Sequence, residues 1–491
     1  MTMKLNCKKI TLVCALLSSA IGLNAVNVYA AGEAKNVIFF LGDGMGPTTV
    51  TAARIYKYGE AGKLTMETLP RTARIKTYSL DAQTTDSAPS MAAYMTGVKT
   101  RNEVLGMDGS TFAAQYAPGT DVNGVSSGVN KCPTGNGAPS TTILELAIAK
   151  GKATGVVTTA RLTHATPGAT YAHVCHRNAE YEIARQAVPG GEGYNTKLGA
   201  GIDVMMGGIS YYWTPFPSPI VTSKRGRSDG RDLTKEMQAK GYTFVRDRTS
   251  LLAAPANAGA KILGLFDFSA AQGHMSYELD RDASKEPSLA EMTSKAIDIL
   301  SKNTNGYFLM VEGGRIDHAL HETNAGRALA ETIAFDDAVK AALGKVDLAN
   351  TLIVVTADHD HTLAFNGYAS KGNPILGKTD SVQRPGVPTL AADGKPYTTL
   401  VFGNGTGNGN ISTSGGGSTR GATRDDLTNV ETTDKNYYQQ YGVQLPGAGA
   451  GGETHGSGDV MLFAGGAGRA PFKGTLDNTK VFELLKTAFG F

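Results

Sequence analysis

Three short runs of the chain are continuously apolar and rich in β-branched or aromatic residues: Asn36–Leu41 (NVIFFL), Tyr307–Val311 (YFLMV) and Thr351–Thr356 (TLIVVT). A strand without polar alternation has no face to offer water. Such runs therefore predict strands buried on both faces of a mostly parallel sheet. Each run ends abruptly in groups that are costly to bury alone. The first enters Gly42-Asp43-Gly44-Met45-Gly46 and the third enters Ala357-Asp358-His359. The second enters Glu312-Gly313-Gly314-Arg315-Ile316-Asp317-His318-Ala319-Leu320-His321. In open α/β sheets, ligands bind at the carboxyl ends of the strands. Carboxylates gathered there repel one another unless cations neutralise them, which points to a hydrolytic site built on several metal ions.

Helical patterns alternate with further strand-like runs. Predicted helices cover about Thr48 to Tyr58, Ser87–Gly97, Thr141–Lys150, Pro287–Lys302, Asn324–Leu343 and Asn478–Ala488. Predicted strands are Thr154–Thr158, Asp203–Met206, Ile262–Phe266 and Val460–Ala464. The alternation indicates an α/β fold, a three-layer sandwich around one large sheet. The 491 residues could hold two or three average domains, but 31–491 read as one elaborated catalytic domain. The stretch 365–452, rich in Gly, Asn, Thr and Pro, breaks the alternation. It lies between Asp358-His359 and a late Glu453-Thr454-His455-Gly456, so it leaves the core and returns to the same place. It reads as an insertion on the strand-end face, where insertions cap sites or make subunit contacts. Within it, Gly403–Gly417 is a loop, and Tyr397–Phe402 and Asn436–Leu445 are candidate strands or short helices.

The first thirty residues have the pattern of an export signal. Lys4, Lys8 and Lys9 precede the apolar Ile10–Leu23, and Val28-Tyr29-Ala30 offers cleavage after Ala30. The alternative, an N-terminal membrane anchor, needs about 20 apolar residues. Export would place the chain in a periplasm or the medium. Removing 1–30 takes three of the 47 basic residues and none of the 44 acidic ones, so positive and negative charges then match. That balance gives no electrostatic case for nucleic acid or a membrane surface as partner. Of four Cys, Cys132 and Cys175 remain. In an oxidising compartment they are a candidate disulfide, the alternative being two buried thiols. Without a Cys cluster, any zinc would be held by His and carboxylate.

Ser87, in Thr85-Asp86-Ser87-Ala88, is the candidate nucleophile. It starts a helix, where free N–H groups and the helix dipole favour a phosphate. A Ser hydroxyl needs a base or metal to attack at neutral pH, and N-capping is the commoner job for Ser at such a place. Asp317 and His321 are spaced i, i+4, on one helix face. His455 could complete a three-ligand zinc site with an open position. Asp358, His359 and Asp43 could share a second ion, and Glu312 with Thr166 suits magnesium. Any one of these alone would more often be a cap or a surface group. Their joint occurrence at successive strand ends is the signal. A guanidinium would suit phosphoryl oxygens, and Arg177 competes for that role with Arg161, Arg281 and Arg315.

Together these motifs resemble the alkaline phosphatases, in the family's order and over nearly the whole mature chain. The resemblance rests on Asp43-Gly44-Met45-Gly46, Thr85-Asp86-Ser87-Ala88, His164-Ala165-Thr166-Pro167 and Val311-Glu312-Gly313. It continues through Asp317 with His321, Thr356-Ala357-Asp358-His359 and Thr454-His455-Gly456. It implies hydrolysis of a broad range of small phosphate monoesters through a phosphoserine at Ser87. It implies two zinc ions, one on Asp317, His321 and His455 and one on Asp43, Asp358 and His359. It implies one magnesium ion on Asp43, Thr166 and Glu312. Arg177 matches the residue that grips phosphoryl oxygens, and Asp86 its orienting neighbour. His164 and His318 match positions that tune magnesium affinity and phosphate release. The stretch 365–452 is similar in place to the family's crown, and the resemblance implies a homodimer. Ser87-Ala88-Pro89-Ser90 also resembles the sulfatase signature, but Met91 stands where that signature has Arg. A non-catalytic binding protein on the same fold would lack a core ligand, and none is missing.

Overall fold

The computed structural model describes residues 33–113, 132–218, 225–266, 268, 273–405, 424–444 and 452–491. The segment read as an export signal lies outside the described residues.

The predicted apolar runs are strands. In chain order they are β1 (Asn36–Gly42), β2 (Arg71–Lys76), β3 (Ala153–Arg161), β4 (Val204–Gly208), β5 (Tyr242–Val245), β6 (Lys261–Phe266), β7 (Tyr307–Gly313) and β8 (Thr351–Ala357). Then follow β9 (Asp360–His361), β10 (Leu363–Phe365), β11 (Leu400–Gly405), β12 (Tyr441–Gln444), β13 (His455–Gly456), β14 (Val460–Gly466) and β15 (Gly474–Asp477). Ten of them form one sheet in the order β15-β2-β14-β8-β1-β7-β3-β4-β6-β5. β14 is antiparallel to both of its neighbours, and the other pairings are parallel. β1 lies at the centre, between β7 and β8. All residues of β7 and β8 are buried, as are those of β1 after Asn36, as continuous apolarity requires. Each of Phe39, Phe40 and Phe308, fully buried here, contributes about 1.5–3 kcal/mol of burial free energy.

The helices are α1 (Pro47–Tyr58), α2 (Ser87–Thr96), α3 (Ile143–Ala149), α4 (Ala165–Gly168), α5 (Glu180–Gln186), α6 (Leu233–Ala239), α7 (Arg248–Ala253), α8 (Leu289–Leu300), α9 (Arg315–His321), α10 (Ala325–Leu343) and α11 (Asn478–Phe489). Their ends differ from the sequence reading by a few residues, for local reasons. Thr142, Ser288 and Asn324 stand outside α3, α8 and α10 as N-caps. The first two form capping boxes with Glu145 and Glu291. Pro287 therefore precedes a cap instead of opening α8. β2 escaped the sequence reading because only Ala73 and Ile75 reach the core, between exposed Arg71, Arg74 and Lys76.

The stretch 365–452 contributes β11 and β12, which join β10 at its start in a separate three-stranded sheet, β10-β11-β12. β11 covers part of Tyr397–Phe402 and β12 part of Asn436–Leu445, so both candidates are strands. Most of Gly403–Gly417 lies outside the described residues. The third sheet is the two-stranded β13-β9, which pairs His455 with His361.

Candidate active site

The register of the central strands brings the acidic termini together. Gly42 of β1 is level with Gly313 of β7 and with Ala357 of β8. Asp43, Glu312 and Asp358 thus meet at one edge of the sheet, and α9 carries Asp317, His318 and His321 away from the same edge. Two glycines permit the close approach. Gly44 has φ +67°, and a Cβ there would lie 2.5 Å from His361 Nε2. A Cβ on Gly46 would lie 1.6 Å from Asp360 Oδ1.

Ser87 is the first helical residue of α2, and Asp86 before it occupies the cap position. The capping explanation for Ser87 therefore fails. Its hydroxyl instead lies 3.2 Å from His359 Nε2, with the side chain buried. His359 Nε2 is also 3.3 Å from Asp43 Oδ1 and 3.5 Å from Asp358 Oδ2. Close by, Asp317 Oδ1 is 3.2 Å from His321 Nε2 and 3.5 Å from His455 Nε2, and those two nitrogens are 3.1 Å apart. Asp317, His321 and His455 converge.

The tautomers follow from the partners. His321 Nδ1 donates to the Glu453 carbonyl (2.5 Å), His455 Nδ1 to that of Thr85 (2.8 Å) and His359 Nδ1 to that of Asp360 (3.3 Å). With Nδ1 so engaged, each ring turns Nε2 to the pocket, where it would offer its lone pair to a cation. A backbone or carboxylate partner on the far nitrogen is the usual arrangement for metal-binding His.

The carboxylates tell the same story electrostatically. Burial, aided by Asp317, pushes the Asp43 carboxyl up to about 8, and burial with Asp43 does the same to Asp358. Burial and Asp43 also drive Glu312 well above the carboxylate range. Asp317 goes the other way. Burial pushes it up, but His321 and His361 outweigh burial and hold it well below the usual value. Asp43 Oδ1, Asp358 Oδ2 and Glu312 Oε1 are buried without a hydrogen-bond partner. Buried polar atoms normally have one, so three orphaned carboxyl oxygens fit an oxygen-and-imidazole set made for divalent cations. Asp43, Asp358 and His359 form one group able to hold an ion, and Asp43, His164 and Glu312 another. Thr166 Oγ1 lies 3.5 Å from Asp43 Oδ2, and the second oxygen of Glu312 accepts from Thr158.

Arg177, 13 residues beyond His164, pairs through Nη1 with Asp86, while Nη2 donates to His164 Nε2 at 3.0 Å. Because a guanidinium only donates, His164 must carry its proton on Nδ1, which has no partner. Arg161 is bound by Glu180 and His274, Arg281 by Glu278, and Arg315 contacts His318. Among the four sequence candidates, Arg177 is the one paired with Asp86, the residue before Ser87. His318 packs edge-on to His164 at 5.5 Å between ring centroids.

Three residues here were not singled out in the sequence. His361 lies between Asp317 Oδ1 (2.8 Å) and Glu453 Oε2 (2.5 Å). With an acceptor at each nitrogen it is doubly protonated. Burial opposes that charge, and Glu453 and Asp317 override burial, holding its pKa well above the ordinary value. His361 follows His359 by two residues into a strand, so strand alternation was a usable signal, as it was for Glu453 before His455. His274, tilted against His318 with ring centroids 4.1 Å apart, had no such signal. Cys132 and Cys175 are disulfide-bonded, two residues before Arg177.

An edge of carboxylates and imidazoles around a buried Ser, at the strand ends of an α/β sheet, defines a metallohydrolase. The chain matches the alkaline phosphatase family model over residues 34–491. It is 39% identical over 458 residues to the tissue-nonspecific alkaline phosphatase of Gallus gallus, covering 88% of this chain and 80% of that one. It is 37% identical over 474 residues to the Homo sapiens isozyme, covering 92% and 82%. Among solved structures, Thermus thermophilus alkaline phosphatase aligns with a TM-score of 0.65 at 26% identity, covering 97% of this chain and 96% of the other. The enzyme of the Antarctic bacterium TAB5 shares the fold, with a TM-score of 0.60 at 22% identity over 93% and 99% of the two chains. The chain belongs to the alkaline phosphatase family, whose members are hydrolases of phosphate monoesters.

Proposed function

We propose that the chain converts a broad range of small phosphate monoesters to alcohol and inorganic phosphate through a phosphoserine at Ser87. The observation that carries this is the buried Ser87 hydroxyl, at a helix N-terminus and 3.2 Å from His359 Nε2, beside carboxylate oxygens that lack partners. Asp317, His321 and His455 would hold one zinc, Asp43, Asp358 and His359 a second, and Asp43, Thr166 and Glu312 magnesium. Bound there, the cations supply Lewis acidity, neutralising phosphoryl oxygens and lowering the pKa of the serine hydroxyl.

The chain's own groups do the rest. Arg177 grips two phosphoryl oxygens, its plane fixed by Asp86 on one side and the His164 lone pair on the other. The N–H groups opening α2 face the same anion. Ser87 Oγ attacks phosphorus, the ester bond breaks, and the alcohol leaves. Water then cleaves the Ser87–phosphate bond, releasing phosphate and restoring the hydroxyl. His318, packed on His164, tunes this second stage. Residues 1–30 serve as an export signal to periplasm or medium, 31–491 form the catalytic domain, 365–452 act as a crown-like insertion, and the working unit is a homodimer.

The test is Ser87→Ala, assayed with p-nitrophenyl phosphate, alongside acid-quenched wild-type protein examined by mass spectrometry. Phosphate on the Ser87 peptide and loss of turnover in the variant are expected. Wild-type turnover in Ser87→Ala would overturn the assignment.

A further inference from the structure

Arg177 lies in the field of a carboxylate, Glu103, that this chemistry does not use. The Glu103 peptide clamps both members of the Arg177–Asp86 pair. Its N–H donates to Asp86 Oδ2 at 2.9 Å, and its carbonyl accepts from the Arg177 N–H at 2.7 Å. Its φ of 70° lies in the left-handed region, where a non-Gly residue persists only if its surroundings over-determine it. The backbone of Glu103, and with it the direction of its Cβ, is therefore set by the loop.

That side chain is 43% exposed, and its Oε2 lies 3.7 Å from His176 Nε2, one residue before Arg177. Burial and Asp86 raise its carboxyl above the usual range while Arg177 pulls it down, so it sits within the field of both. Asp86 and His164 already hold and orient the guanidinium. A second carboxylate adds nothing to that, but it places a negative charge beside the group that must hold a phosphate dianion.

We propose that the Glu103 carboxylate opposes phosphate at Arg177 and so weakens retention of the product. This rests on Arg177 being the phosphate-binding group proposed above. A neighbouring unit charge in a partly solvated site changes an anion's affinity by about 3- to 10-fold.

The experiment measures the inhibition constant of inorganic phosphate against p-nitrophenyl phosphate for the metal-loaded full chain. The proteins are wild type, Glu103→Gln, Glu103→Asp and Arg177→Ala, each at low and high NaCl. Glu103→Gln should bind phosphate about 3- to 10-fold more tightly at low salt, with the gap closing as salt screens the charge. Glu103→Asp should keep the wild-type constant. Unchanged or weaker phosphate binding in Glu103→Gln would overturn the proposal, as would salt-independent tightening or equal tightening in Glu103→Asp. If Arg177→Ala binds phosphate as well as wild type, it is the Arg177 reading that fails. If that variant loses phosphate while Glu103→Gln matches wild type, the Glu103 proposal alone fails.

Discussion

His361→Ala should uncouple the site from its support without removing any proposed ligand. The imidazolium is fully buried between Asp317 Oδ1 at 2.8 Å and Glu453 Oε2 at 2.5 Å. Deleting it leaves two buried carboxylates facing an empty volume. Breaking a buried ion pair by removing one partner costs about 3–5 kcal/mol. Glu453 keeps its bonds from Thr362 through the other oxygen, and Asp317 keeps His321 beside it. The expected loss for the metal-free protein therefore sits at the lower end, about 3 kcal/mol. In the loaded protein a cation would replace part of the missing charge, and the effect moves to affinity. Losing a partner that orients a ligand weakens metal binding about 10- to 100-fold, or about 1.4–2.7 kcal/mol. The assay is recovery of phosphatase activity against buffered free zinc, with thermal unfolding of the chelated protein in parallel. A zinc midpoint and a metal-free Tm both equal to wild type would refute the reasoning.

The raised carboxyls of Asp43 and Asp358, each near 8, make metal-free stability depend on pH. The folded state holds these protons more tightly than the unfolded one, so their contribution is present below the ordinary carboxylate range and is lost as pH rises towards about 8. Tm of the chelated protein should fall across that window, metal-loaded protein should not follow it, and metal uptake near neutral pH should release protons measurable by calorimetry in buffers of different ionisation enthalpy. A flat metal-free profile would contradict the burial argument. Replacing Cys132 and Cys175 by Ser opens a bridge spanning 43 residues and should cost about 2–4 kcal/mol in denaturant unfolding. Because Cys175 is two residues from Arg177, phosphate affinity should weaken as well, and an unchanged inhibition constant would show that the bridge does not help hold Arg177.

The central strands were legible because burial on both faces leaves a continuous apolar run, and the proposed ligands because most of them sit where those runs stop. Strands with one wet face, such as β2, resemble any short amphipathic stretch until a partner is known. Asp317 with His321 could be paired from helical spacing alone. The adjacency of His455 to them depends on the β13–β9 ladder, which closes only after the long excursion through β10–β12. His361 belongs to that same ladder and Glu453 lies two residues before it, and neither stands at the end of an apolar run. The Arg177–His164 bond, which fixes the imidazole tautomer, links two loops and leaves no periodic trace in the sequence.

The most direct test of the metal-assisted serine is elemental analysis of the purified protein, with phosphatase activity measured before chelation, after it, and after zinc and magnesium are restored. Bound zinc and magnesium, loss of activity on chelation and its return on reloading are expected. A protein that is free of divalent metal and fully active would contradict the account.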